Sequence, residues 1–376
     1  MRRHVPFLEA VAVVVGTIIG AGIIGVPYVF AASGFLTSTF VLVLVGASLL
    51  FVRLMLGEVI MRTDGVHQLT GYTGIYAGRF AQHAQALVLV VSIYGTLLAY
   101  MIGQGEVLSA LLGGPSVMWA LLFYLVFSFL VVNGLDVIKR SELIMIVAIF
   151  FIMIALTLFT APGMQVEFLG GFDASRFFVP FGVILFACAG LVSVPEAWRV
   201  VKRAGREDIF KAALIWGGVI PPVLYLLFAV LVVGVTGPET SQVATVSLGE
   251  ALGPHMIIIG NVFAFFTVAT SFLTIALAQR DIFRYDYSVP SHLSSALVLV
   301  VPLMVFALGM WDFIAVISIV GALMVGVNGI VAVIIYWRAR TRGALTPAFT
   351  LPSWLAAPAS VFLVAVFAAG ILSIFV

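Results

Sequence analysis

Two stretches of backbone, rather than any cluster of reactive side chains, carry the chemistry legible in this sequence. Residues 16 to 27, Gly16-Thr17-Ile18-Ile19-Gly20-Ala21-Gly22-Ile23-Ile24-Gly25-Val26-Pro27, interrupt an apolar run with glycines and close with a proline. Glycine makes non-helical backbone cheap, and proline lacks the donor a helix interior needs but fits the first turn of a new helix. A helix broken here leaves polar groups open. The N–H groups of Ile24, Gly25 and Val26 are expected at the positive end of the restarting half, where a carboxylate is the natural ligand. The pattern recurs once. Cys188-Ala189-Gly190-Leu191-Val192-Ser193-Val194-Pro195 aligns without gaps on Gly20 to Pro27, matching at Ala, Gly, Val and Pro. At this second break the carbonyls ending the incoming half, near Phe186 and Ala187, carry the negative end of the dipole and suit a cation or an ammonium group.

The elements that must hold these breaks are membrane helices. Hydrophobic residues make up 63% of the 376-residue chain and charged residues 9%, and the mean hydropathy is +1.24, which describes a polytopic membrane protein. The hydrophobic pattern predicts eleven helices, at 5–31, 36–61, 84–111, 117–133, 142–161, 175–198, 211–235, 255–279, 292–310, 312–337 and 354–376. Inside a bilayer a broken helix is tolerated only where protein, water or a ligand satisfies its backbone. Gly/Pro-interrupted spans at corresponding places in two halves point to an inverted-repeat transporter with its site near the midplane. The chain is accordingly read as one membrane domain, 1–376, with repeats at 1–161 and 175–337 and an additional helix at 354–376.

The positions of the basic residues give an orientation. With a cytoplasmic N-terminus, the inner side collects every Lys and Arg of the chain except Arg53, within the second span, and Arg176, in an outer loop. The basic residues therefore set topology, and the odd number of spans places the C-terminus outside. The net charge of +2 speaks of no nucleic-acid partner. The single cysteine, Cys188, excludes an internal disulfide and a cysteine metal cluster. Neither H-E-x-x-H nor G-x-S-x-G occurs, so nothing marks an enzyme. The spans lack the continuous polar lining of a channel, and no loop is long enough for a signalling domain.

Several single residues invite a role. Arg53 lies about 14 Å deep at 1.5 Å per residue, so it either snorkels or forms a gate with Glu9, Glu58 or Glu142. Tyr94, mid-span, either closes over a ligand or packs. Ser193 and Glu196 read as the N-cap and third residue of a capping box, although Glu196 could equally accept a proton. The stretch from Gly71 to His83 reads as an inner loop, and residues 237 to 254 as an outer loop with an amphipathic middle that could act as a lid. Thr267, Thr270, Ser271 and Thr274 lie in the eighth span, where the ordinary role of such hydroxyls is to bond back one turn.

Gly20-Ala21-Gly22-Ile23-Ile24-Gly25-Val26-Pro27-Tyr28 resembles the first helix of amino acid permeases of the amino acid–polyamine–organocation superfamily. Residues 183–196 and the Thr270-Ser271 pair ahead of Gln279-Arg280-Asp281 look closest to its amino acid/auxin and aromatic amino acid permease branches. The resemblance implies the leucine-transporter-like fold, an all-α arrangement in which helices one to five and six to ten form a 5+5 inverted repeat with helices 1 and 6 broken. It implies a cation-coupled symporter of a neutral amino acid in the cytoplasmic membrane. Proton coupling, exchange, or a sensor keeping the fold are the alternatives. The substrate carboxylate would meet the first break (Gly20, Ala21, Gly22, Ile24, Gly25) and its ammonium the second (Ala187, Cys188, Ala189, Gly190), with Phe186 and Tyr94 as pocket and gate. In sodium-coupled members the eighth helix supplies two hydroxyls, here Thr270 and Ser271, and first-break carbonyls, here Thr17, Ile18 or Ala21, complete the shell. A lysine of the fifth helix fills that place in some proton-coupled relatives, whereas Lys139 stands only at the mouth of this span. Gating falls to Arg53, Glu58 and Glu196. No organic cofactor is implied, and the partners are the amino acid, a coupling Na+ or H+, and the bilayer, with a monomer or weak homo-oligomer.

Overall fold

The fold is that of a computed structural model describing residues 5–65, 67–133, 141–286 and 288–372; the side chains of 133, 141–150, 270, 281, 285 and 286 lie outside the described set. The residues Arg2, Arg3, Lys139 and Arg140, used for orientation, also fall outside it, as do the side chains of Glu142 and Thr270. The described chain is helical. Its helices are α1 (Val5–Ile18), α2 (Gly22–Ser33), α3 (Phe35–Arg62), α4 (Leu69–Ala77), α5 (Arg79–Leu112), α6 (Ser116–Asn133), α7 (Ser141–Thr160), α8 (Phe181–Ala187) and α9 (Ser193–Arg203). Then follow α10 (Phe210–Thr236), α11 (Ala244–Leu252), α12 (Pro254–Asp281), α13 (Ser291–Ala307), α14 (Phe313–Arg342) and α15 (Ser353–Leu372).

Among the described residues, six helices are long and apolar enough to cross a membrane, and the pair α1–α2, bent by 56° at its break, makes up to seven. The helices α6 and α13 and the latter part of α7 are apolar but shorter. Both broken helices sit at the centre. α1 packs on α9 and α10, α2 on α8 and α10, and α8 on α14.

The polar stretch read as an inner loop folds as α4 instead. Leu69, Tyr72, Thr73 and Tyr76 are buried there, at the i, i+3, i+4, i+7 spacing of one helical face, and Thr73 bonds Gln85 of α5, which in turn bonds Asn328 of α14. Its glycines disguised a helix. The outer half of the sixth span is also shorter than expected, because residues 174–176 form a 3-10 turn and α8 begins only at Phe181. The amphipathic middle of the 237–254 loop is α11, whose Ala244, Thr245, Ser247, Leu248 and Gly249 are buried against α12, α10 and α2.

Candidate substrate site

The first break occupies Ile19 to Ala21, and its donors differ from expectation. The Ile23 N–H bonds the Gly20 carbonyl at 3.2 Å and the Ile24 N–H bonds the Ala21 carbonyl at 3.1 Å. Helix α2 therefore restarts at the glycines, and Pro27 lies inside it rather than in its first turn. At this break no acceptor meets the N–H groups of Gly20, Ala21 and Gly22. Such adjacent free donors, at the positive end of a half-helix, make an anion-binding concavity.

Next to these donors stand two hydroxyls. A Cβ placed on Gly20 would lie 2.9 Å from Tyr100 Oη and 3.4 Å from Ser271 Oγ. Those two side chains are hydrogen-bonded to each other, and Ser271 also donates to the Thr267 carbonyl at 2.9 Å. Ser271 is thus brought to the first break. Of the other candidate ion ligands, the Ala21 carbonyl already accepts from Ile24, the Ile18 carbonyl accepts from Tyr225, and the Thr17 hydroxyl turns back on Val13.

The second break runs from Cys188 to Val192, and here Gly190 has φ +143°, a conformation that favours glycine. Its end carbonyls face side chains of the protein. Tyr225 Oη, on α10, lies 2.8 Å from the Ile18 carbonyl oxygen and 2.9 Å from that of Ala187. Arg53 Nη2, from α3, donates to the Cys188 carbonyl at 2.5 Å. The capping-box expectation fails: α9 starts at Ser193 with no side-chain cap, the Ser193 hydroxyl donates to the Gly190 carbonyl, and Glu196 turns out to Arg199 at 2.6 Å and to Gln68.

Arg53 forms no ion pair among the described residues, and the side chain of Glu142, one of its expected partners, lies outside them. Its length carries the guanidinium to a helix end rather than to a carboxylate. Glu58 is buried and already engaged: it pairs with Arg62 at 2.8 Å, stands 3.6 Å from Arg340, and accepts the Leu351 N–H at 2.8 Å. Glu9 is exposed. Tyr94 lies near Tyr124 of α6, which donates to the Leu299 carbonyl. Tyr100 follows Tyr94 by six positions, which puts them about 120° apart around α5.

On the side of α2 and α8 the site is shut by glycines. A Cβ on Gly22 would lie 2.5 Å from Ala187 Cα, one on Gly25 2.8 Å from Ile317 Cδ1, and one on Gly182 2.6 Å from the Ser318 carbonyl oxygen. A Cβ on Gly321 would meet the Gly182 carbonyl and, at 2.6 Å, the Phe186 nitrogen. Close backbone approach of this kind is how small residues join helices in membranes. Phe186 is 9% exposed and backs onto this seam. We expect Gly321→Ala to cut transport by at least tenfold while Gly163→Ala, whose Cβ would come no nearer than 3.6 Å to Leu252 Cδ2, changes it less; uptake into proteoliposomes checks the pair.

The profile of the tryptophan/tyrosine permease family matches residues 3–376. The chain belongs to that family. This permease is 24% identical to glutamine transporter 2 of Aliivibrio fischeri over 82% of its own length and 83% of the relative's. It is 25% identical to tyrosine-specific transport system 1 of Haemophilus influenzae, over 89% and 88% of the two chains, and 26% identical to system 2 of the same organism, over the same shares. Among solved structures, MhsT in complex with L-phenylalanine superposes with a TM-score of 0.67 at 16% identity, covering 98% of each chain. Mhp1, a nucleobase-cation-symport-1 family transporter in a closed conformation, superposes with a TM-score of 0.63 at 13% identity, over 98% of this chain and 90% of that one. The permease is therefore a multi-pass membrane protein with the leucine-transporter-like fold.

Tyr100 and Tyr225 are the residues at the breaks to which sequence reasoning gave no role. A signal existed for Tyr225, since a tyrosine alone in an apolar span must find a partner for its hydroxyl. The sequence could not supply the partner's identity, because the carbonyls it meets, of Ile18 and Ala187, lie far apart along the chain.

Proposed function

We propose that this permease is a cation-coupled symporter of a neutral amino acid, with eleven spans, a cytoplasmic N-terminus and the substrate carboxylate held at the first break. One observation carries the reading. The free N–H groups of Gly20, Ala21 and Gly22 form a concavity suited to a carboxylate, with the hydroxyl oxygens of Tyr100 and Ser271 beside it. An amino acid substrate agrees with relatives that move glutamine and tyrosine, and the broader superfamily placement agrees with the glycine motif.

Sodium is the coupling ion we favour, since the hydroxyl oxygens of Thr270 and Ser271 are hard ligands for a small hard cation. The test is direct. Binding of L-tyrosine and of L-glutamine to purified protein is measured at constant pH in sodium and in choline buffer. Sodium removal is expected to weaken binding of the transported one at least tenfold, and Thr270→Val with Ser271→Ala to abolish the sodium effect. Uptake driven by a pH gradient in sodium-free buffer, indifferent to the double substitution, would move the coupling to a proton and sink the sodium assignment.

A further inference from the structure

We infer that Arg53 is a tethered cation occupying the second break, filling with a guanidinium the place where the carbonyl end of α8 would otherwise hold a mobile cation or the substrate ammonium. The argument begins with the carbonyls. Ile18, Ala187 and Cys188 end two half-helices, and each such end carries the equivalent of roughly half a negative charge. Their oxygens are met by one hydroxyl, Tyr225 Oη, and one charged group, Arg53 Nη2. No other cation reaches them among the described residues.

The charge balance at Arg53 is unusual. The side chain is 1% exposed, it has no carboxylate within 4.0 Å among the described residues, and its Nε has no acceptor. A buried charge persists only where something offsets its desolvation, and here the offset is the carbonyl end of α8, through the Cys188 oxygen. The fit is also spatial. A Cβ on Gly218 of α10 would lie 2.8 Å from Leu50 Cδ1 and in ordinary contact, 3.4 Å, with Arg53 Nη1, so α10 passes close against the face of α3 that carries the guanidinium.

Two consequences follow for the transport reading on which this inference rests. The ammonium of a bound amino acid is repelled from the α8 end by a fixed positive charge, so it must be received elsewhere. The second break also needs no mobile ion, which leaves a coupling cation to the hydroxyl oxygens of α12, Ser271 among them.

Chemical rescue tests the inference without any amino acid present. Arg53→Ala removes the charge and leaves a hole of the right shape; Arg53→Met removes the charge but keeps the bulk. The melting temperature of each purified variant is read in choline, sodium and millimolar guanidinium chloride buffers, with the parent protein alongside. We expect both variants to melt roughly 5 °C or more below the parent in choline. Guanidinium should restore at least half of the loss in Arg53→Ala and none in Arg53→Met, and Arg53→Lys should lie nearest the parent. Sodium restoring Arg53→Ala as guanidinium does would equally support a cation site. Variants as stable as the parent, or a loss in Arg53→Ala that neither cation relieves, would overturn the assignment. Because no amino acid enters the measurement, its failure leaves the proposed substrate untouched, and a permease that moved neither tyrosine nor glutamine would still display the rescue.

Discussion

Gly22→Ala is expected to abolish transport while leaving a protein that inserts and purifies. The added methyl carbon would lie 2.5 Å from Ala187 Cα and 2.7 Å from its Cβ, and the first of these is backbone, which cannot rotate away. Overpacking a tight site costs about 1–3 kcal/mol, and contact with backbone places this substitution at the upper end. About 3 kcal/mol against the closed α2–α8 arrangement lowers its occupancy by roughly two orders of magnitude. A transporter that must pass through that arrangement slows accordingly. Gly25→Ala serves as the internal comparison, because its methyl would meet side-chain tips, Ile317 Cδ1 at 2.8 Å and Phe313 Cε1 at 3.1 Å, which can shift. Uptake by Gly22→Ala within threefold of the parent, at equal protein, would mean that the glycine seam opens and shuts without passing through this contact.

Glu58→Ala should be the most destabilising single substitution in the arginine cluster where α3 meets α14. One fully buried carboxylate serves Arg62, Arg340 and the Leu351 N–H together, and removing one partner of a buried charged network costs about 3–5 kcal/mol. Three donors would be stranded at once. Glu58→Gln keeps an acceptor for Leu351 and loses only the charge, so it should fall between the two. Thermal melting in detergent and the yield of monodisperse protein read the order parent, Gln, Ala; a Gln variant as damaged as the Ala variant would assign the effect to charge alone. The same cluster ties down residues 343–352, since Ala344 and Leu345 donate to the Arg62 carbonyl, so loosening it should raise proteolysis in that stretch ahead of α15.

The sequence made the breaks legible because their signal is local. Glycine and proline act on the backbone where they stand, and so Gly20 to Pro27 and Cys188 to Pro195 could be read without knowing what surrounds them. The restart of α2 was misplaced for the same reason: Pro27 marked a helix start by rule, but the glycines released the chain five residues earlier and the proline was absorbed within the helix. Helix α4 was missed because Gly71 and Gly74 lowered its apparent propensity, although the spacing of Leu69, Tyr72, Thr73 and Tyr76 was there to be read. The partner of Arg53 lay beyond reach altogether. Charge complementarity suggested a carboxylate, and only the fold could bring a carbonyl 135 residues away to the same place.

Tyr225 has one hydroxyl proton and two carbonyl oxygens to offer it to, at 2.8 Å and 2.9 Å. A proton pointed at Ile18 is withheld from Ala187, so the two half-helices share a single token that only one can hold. A donor group arriving at either oxygen frees the token for the other. Which break the Tyr225 hydroxyl serves is thus set by the rotation of one O–H bond, with no helix having to move.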